Sequence, residues 1–190
     1  MLRYLMMAAL LFVLGSPLNV HAEKRYKSSF KKFSIPPLTL VDQDRREVKL
    51  SSFLAEQEPF VLSFIFTTCT TVCPIMTATM AHLRRELDKQ GENLNLVSVS
   101  IDPEYDTPRR LKEYAKRYDA GDQWRFLTGR LEDIQRVQKH FTGFVSDKMD
   151  HWPVYIFKAP GKDEWLVIDG LVSGVDLARE YRLLREAASE

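Results

Sequence analysis

The chain has 190 residues, 45% of them hydrophobic, with 27 basic and 26 acidic side chains for a net charge of +1. That size and apolar content suit one domain with a real core. The balanced charge argues against a nucleic-acid binder, which carries a strong basic excess, and two cysteines are too few for a disulfide scaffold.

Residues 1–22 read as an export signal. Arg3 supplies a positive region, Tyr4 to Leu14 an apolar run, and Gly15, Ser16 and Pro17 break it before the small-x-small cleavage site Val20-His21-Ala22. The run is shorter than the roughly 20 residues a bilayer span takes, so an uncleaved membrane anchor is the lesser alternative. No cysteine marks a lipoprotein signal, and no twin arginine precedes the run. The general secretory route and a periplasmic location are therefore expected. Removal of the signal leaves 26 charges of each sign, in a compartment that permits disulfides.

Residues 23–37 are basic and unpatterned, with Lys24, Arg25, Lys27, Lys31 and Lys32. They predict a flexible, solvated tail, with contact to a membrane surface as the sharper alternative. Leu38 to Val41 and Val48 to Leu50 predict short strands around the polar turn Asp42-Gln43-Asp44-Arg45. Phe60 to Phe66 is nearly all apolar, as in a strand buried on both faces. The segment Cys69-Thr70-Thr71-Val72-Cys73-Pro74 follows and holds both cysteines.

Pro74 is placed as a first helical residue, where its missing N–H is harmless. The predicted helix runs to about Gln90, with Met76, Met80, Leu83 and Leu87 on its inner face, and Gly91 ends it. Leu94 to Ile101 predicts a second buried strand, closed by Asp102-Pro103. Thr107-Pro108 is an N-cap with a first-turn proline, opening a helix with Leu111, Tyr114, Ala115 and Tyr118 on one side. A further helix is expected from Leu131 to Phe141, then strands at Val154–Phe157 and Trp165–Ile168 around Ala159-Pro160-Gly161-Lys162, and a last helix from Asp176 to Ala188. This order predicts an α/β, thioredoxin-like three-layer sandwich over residues 38–190. Helices flank a central mixed sheet extended by an N-terminal β-hairpin.

In such a sheet, chemistry gathers in the loop between a buried strand and a helix N-terminus. Two cysteines at i and i+4 on a helix have Cα atoms roughly 6 Å apart, within the span of a disulfide and of a shared metal ion. A helix N-terminus stabilises thiolate, the species both uses need. A stability crosslink is the weakest reading, because so short a loop restrains little. Of the four histidines, His21 leaves with the signal. His82 lies on the far side of its helix turn, and His140 sits where a cation suits a helix C-terminus. His151 lies in the polar stretch before the strand at Val154, which a thioredoxin-like layout carries over the cysteine loop. Two sulfurs and an imidazole form a soft set suited to copper, Cu(I) on the sulfurs and Cu(II) with the added nitrogen. Met149 is a nearby soft donor better read as a packing residue.

Four pieces in order resemble the Sco/SenC family of exported thioredoxin-like copper proteins. They are Leu40-Val41-Asp42-Gln43-Asp44, Cys69-x-x-x-Cys73-Pro74, Ile101-Asp102-Pro103-Glu104-Tyr105-Asp106-Thr107-Pro108, and Asp150-His151 before a strand. The resemblance implies copper held by Cys69, Cys73 and His151. It also implies a role in maturing the binuclear copper centre of cytochrome oxidase, by copper delivery to the copper-accepting subunit or by reducing its cysteines. Two features depart from the family pattern. Thr70-Thr71 stand where Pro-Asp is common, removing a carboxylate beside the thiols, and Trp152-Pro153 follow the histidine where Ser or Thr is usual.

A metallochaperone, expected as a monomer, is thus the leading reading. The alternative is an exported thiol-disulfide oxidoreductase using only Cys69 and Cys73, with the N-terminal cysteine attacking. Pro153, a thioredoxin trait in that position, favours it. A thiol peroxidase ranks last, because the threonine-and-cysteine pattern of such enzymes is not evident.

Overall fold

The structure, a computed structural model, describes residues 26–56, 59–143 and 147–189. The expected signal, residues 1–22, lies outside them. Eight strands form one sheet: β1 (Lys27–Lys32), β2 (Thr39–Asp42), β3 (Glu47–Lys49), β4 (Phe60–Ile65), β5 (Asn95–Ser100), β6 (Trp124–Thr128), β7 (Val154–Lys158) and β8 (Glu164–Asp169). Their spatial order is β1-β8-β7-β4-β5-β6-β2-β3. The helices are α1 (Leu50–Glu56), α2 (Val72–Asp88), α3 (Pro108–Arg117), α4 (Leu131–Phe141) and α5 (Gly174–Ser189). The expected thioredoxin-like α/β layout is observed, with β4, β5 and β6 parallel and the other pairs antiparallel.

All six residues of β4 are buried, as the unbroken apolar run predicts for a strand covered on both faces. Ser63 interrupts that run and pairs across the β4–β5 ladder with Ser98, Oγ to Oγ at 3.0 Å. The indole of Trp124 on β6 donates to the same Ser98 hydroxyl at 3.0 Å. The polar atoms in the middle of the sheet thus satisfy one another. The inner face of α2 buries Met76, Met80, Leu83 and Leu87, and α2 packs on α5.

The structure departs from the sequence reading in three places. Residues 27–32, read as part of a solvated tail, form β1 and pair antiparallel with β8 from Lys27↔Asp169 to Lys32↔Glu164. Their side chains are mostly exposed, which is why the segment carries no apolar signature. An edge strand defended by lysines has the composition of a tail. Tyr26 and Phe33 pin its two ends. The Tyr26 hydroxyl donates to Glu180 at 2.7 Å, and the Phe33 ring packs on Phe141 and Trp165. The second departure is β6, which is not among the strands expected from the sequence; Arg125 breaks its apolar pattern. Arg125 reaches Asp42 and Asp44, at 3.8 and 3.6 Å. The third is α1, a short helix of about two turns that buries Leu50 and Leu54.

Candidate functional site

The cysteine loop leaves the C-terminal end of β4 and enters α2 at Val72. Pro74 is the third helical residue rather than the first, still in the turn whose N–H groups have no intrahelical acceptor. Thr71, at the N-cap, makes no side-chain cap bond. Instead the Cys73 N–H donates to the sulfur of Cys69 at 3.3 Å. Cys69 Sγ does the work of a capping oxygen, so negative charge on it is favoured. The Thr71 hydroxyl lies 3.6 Å from the same sulfur, where a carboxylate is common in the pattern the sequence resembles.

Both cysteines are free thiols, and their acidities diverge. Burial opposes ionisation of Cys69, but hydrogen bonds from Cys73 and Thr71 outweigh it and bring the pKa below the ordinary thiol value. Burial pushes Cys73 strongly up, and its hydrogen bond to Cys69 adds to the effect. Cys73 is wholly buried, whereas Cys69 keeps 7% of its surface open to solvent. Cys69 is therefore the more acidic and the more accessible sulfur, and Cys73 the one that keeps its proton.

A second layer fixes this loop. Asp106, fully buried, accepts the Thr67 N–H at 3.0 Å, the Thr67 hydroxyl, and the Ser100 hydroxyl at 2.6 Å. One carboxylate thereby ties the strand-to-cysteine connection to the end of β5. The Asp106 N–H donates to Asp102 O at 2.8 Å, and the Asp102 N–H to Ser100 Oγ at 3.1 Å. Behind Cys73, the Thr77 hydroxyl donates to the Cys73 carbonyl at 2.8 Å and meets the Tyr114 hydroxyl at 2.8 Å. Sequence reasoning assigned no role to Asp106, Thr77 or Tyr114. For Asp106 the signal was the loop Asp102-Pro103-Glu104-Tyr105-Asp106; for Thr77 only its place one turn after Cys73.

His151 ends a short 3-10 turn, Lys148–Asp150, that leads into β7. β7 is the antiparallel neighbour of β4, with Ser63↔Tyr155 in register. The start of β7 and the end of β4 therefore share one end of the sheet, and His151 and the cysteine loop lie there together. Lys148 clamps the turn: its ammonium bonds Asp102 at 2.6 Å and sits 5.5 Å from the Phe66 ring centre. His151 is buried, with 7% exposure, and neither ring nitrogen has a hydrogen-bond partner. Burial lowers its pKa to about 4, so the imidazole is neutral near pH 7.

Buried polar nitrogens without partners are rare. Together with two thiols this donor set fits a thiophilic metal. Among the described residues, however, no three His, Cys, Asp or Glu side chains stand close enough to hold one ion. The fold joins Cys69 to Cys73 and brings His151 to the same end of the sheet without closing a three-ligand set. His82 and His140 lie apart from this site. His82 is half exposed and pairs with Glu86 at 3.3 Å. His140 packs edge-on against Phe141. Met149, expected to pack, is 58% exposed.

Residues 27–158 match the family model described as SCO1/SenC. The chain is 40% identical over 98 residues to the SCO1 protein homolog of Bacillus subtilis, covering 51% of this chain and 50% of that protein. It is 36% identical over 107 residues to a Stutzerimonas stutzeri protein named for copper binding, covering 56% of this chain and 50% of the other. The chain thus spans about half the length of the curated relatives it matches. Among solved structures it resembles BsSco, described as a member of the Sco family of cytochrome c oxidase assembly proteins with a disulfide switch. The TM-score is 0.66 at 30% identity, covering 80% of this chain and 92% of that one.

Proposed function

The chain belongs to the SCO1/SenC family, and on that premise we propose that it is an exported copper-binding protein. In this reading it delivers copper to the binuclear centre of cytochrome oxidase, or reduces the cysteines of that centre before metal arrives. The cargo is held by Cys69, Cys73 and His151. The observation that carries this reading is the pairing of an acidified thiol with a buried neighbour, beside an imidazole whose two nitrogens are unclaimed.

Each residue has a distinct part. Cys69, the more acidic and less buried of the two thiols, is the entry donor. Cys73 adds the second sulfur and releases a proton as it binds. His151 supplies a neutral nitrogen, with no proton to displace near pH 7. The Lys148–Asp102 pair holds the turn Lys148–Asp150 from which His151 would complete the three-donor set. Copper in its lower oxidation state is satisfied by the two sulfurs; the higher state draws in the imidazole.

The same sulfurs serve thiol exchange. Cys69 thiolate attacks a disulfide of the target, one target sulfur leaves as thiolate, and a mixed disulfide forms. Cys73 then loses its proton and attacks Cys69, releasing the second target sulfur. Two electrons pass to the target and the Cys69–Cys73 disulfide remains. Exchange without any metal role is the less favoured reading, given a relative named for copper binding.

Export and a periplasmic setting rest on Arg3, the run Tyr4 to Leu14 and the site Val20-His21-Ala22. Among the described residues no helix is long and apolar enough to cross a membrane. Anaerobic copper titration of the reduced chain, followed by visible and spin-resonance spectra, tests the proposal. One ion per chain with sulfur-to-copper charge-transfer bands is expected. A reduced chain that retains no copper overturns it.

A further inference from the structure

A cleft of about 440 Å³ adjoins the cysteine loop on the side away from His151's strand, lined by Thr67, Thr68, Tyr105, Arg110, Glu113 and Arg117. Thr68 immediately precedes Cys69, so whatever fills the cleft lies beside the accessible sulfur. Nothing in the thiol or metal chemistry above uses these side chains. We infer that this cleft, built from Arg110 and Arg117 beside Thr67 and Thr68, receives an acidic side chain of the polypeptide that presents its own site to Cys69. This rests on the reading that a polypeptide partner approaches the thiols.

The charge is local. Of the ten residues of α3, Arg109, Arg110, Lys112, Lys116 and Arg117 are basic and Glu113 alone is acidic, while the whole chain is nearly neutral. Some of this charge is already answered. Lys112 bonds Asp44 at 2.7 Å, and Arg109 meets Glu113 at 3.8 Å. Arg110 and Arg117 are different: among the described residues neither forms an ion pair with a carboxylate. Each is instead laid on an aromatic ring, Arg110 at 3.7 Å from the centre of Tyr105 and Arg117 at 4.8 Å from that of Tyr114. Arg110 also donates to the Tyr105 carbonyl at 2.7 Å.

Guanidinium groups held by stacking lose less freedom on binding, and their planar donor edge matches a carboxylate. The floor is equally fixed, because Thr67 is bound through its N–H and hydroxyl to Asp106. Glu113 in the same lining sets the chemistry. It repels a doubly charged ion such as phosphate more than a singly charged carboxylate, and it offers an acceptor to the donors that accompany an acidic residue in a peptide. The cleft is therefore complementary to a singly charged carboxylate on a polypeptide.

The test uses the reduced, copper-free chain and two cysteine-free hexapeptides, one alternating glutamate with glycine and its glutamine counterpart. Backbone amide shifts are followed by NMR. The glutamate peptide should move the amides of Thr67, Thr68 and Tyr105 saturably, and the glutamine peptide should not. Arg110→Gln and Arg117→Gln should each weaken binding by about threefold, while Lys31→Gln on β1 leaves it unchanged. Inorganic phosphate at equal concentration should fail to displace the peptide. Equal binding of both peptides, equal weakening by Lys31→Gln, or displacement by phosphate would each overturn the inference. Because copper is absent throughout, a chain that binds copper but ignores the glutamate peptide loses only this inference. One that binds the peptide but not copper loses only the metal reading.

Discussion

The carboxylate of Asp106 receives the backbone N–H of Thr67 at 3.0 Å from 39 positions along the chain. Through that one bond and the accompanying hydroxyl contact, a loop after β5 sets where the cysteine loop begins. Asp106→Ala leaves the Thr67 N–H and the Ser100 hydroxyl without their acceptor in a dry interior. A loss of about 3–5 kcal/mol is expected, measured by denaturant unfolding of the reduced chain. Asp106→Asn keeps one acceptor oxygen and should cost about half as much. Equal stability of all three proteins would dismiss Asp106 as the tie.

The two thiols should not react alike. Cys69 ionises below the ordinary thiol value and Cys73 far above it. Iodoacetamide at pH 7 to 8 should therefore modify Cys69 first, faster than Cys73 by about tenfold or more. Cys69→Ser should abolish the fast phase, whereas Cys73→Ala keeps it but slows it, since the side chain at 73 no longer donates to the Cys69 sulfur. The sign for stability follows for Cys73. A buried acid kept protonated in the folded state ionises more easily when unfolded. The reduced chain should lose stability as pH rises past the unfolded thiol value, and Cys73→Ala should lose less.

His151 gives the opposite pH dependence. Its folded pKa is about 4 against an ordinary 6.5, so the unfolded chain binds more protons between those values. The stability held above about pH 6.5 should drain away as pH falls toward 4. The total is of order 3 kcal/mol in the metal-free protein. His151→Phe removes the titration and should flatten that limb of a stability-against-pH curve. His151→Ala should weaken Cu(II) strongly while Cu(I) stays on the two sulfurs. Unchanged Cu(II) affinity would remove the imidazole from the ligand set.

Thr71 stands 3.6 Å from Cys69 Sγ. Thr71→Asp puts a like charge beside the thiolate and should raise the Cys69 pKa. Alkylation at pH 7 should slow by about threefold, with the screening of an exposed position holding the effect to that size. Thr71→Val, which removes the hydroxyl without adding charge, should slow it less. If the aspartate variant reacts faster, the acidity of Cys69 does not come from its neighbours' hydrogen bonds.

The parts legible in the sequence were those whose cause is local. Phe60 to Phe66 announced a strand buried on both faces, and Cys69 and Cys73 sat where a strand meets a helix. Thr107 and Pro108 fixed the start of α3, where the Thr107 hydroxyl accepts the Arg110 N–H at 3.4 Å. The parts that were not legible depend on distant partners. Arg125 sits in a strand because Asp42 and Asp44 await its guanidinium, and no window around β6 contains either. Lys27 to Lys32 form a strand because β8 offers an unfilled row of backbone groups. At the site, the sequence placed His151 at the right end of the sheet. How near it comes to the sulfurs is decided by the turn at Lys148–Asp150, held by a bond to Asp102. The role of Asp106 was hidden for the same reason, since its partner Thr67 belongs to another loop.

The pairing of β1 with β8 joins nearly the first described residues to the last strand. Synthesis from the N-terminus delivers Lys27–Lys32 early and Glu164–Asp169 late. The leading segment must then wait, unpartnered, until the trailing one emerges. Until that moment the backbone groups of Lys27–Lys32 have no strand to pair with, and an open strand edge recruits other chains. Three lysines on the waiting segment keep it in water meanwhile, so the charge pattern that looked like a tail guards the chain until its last strand arrives.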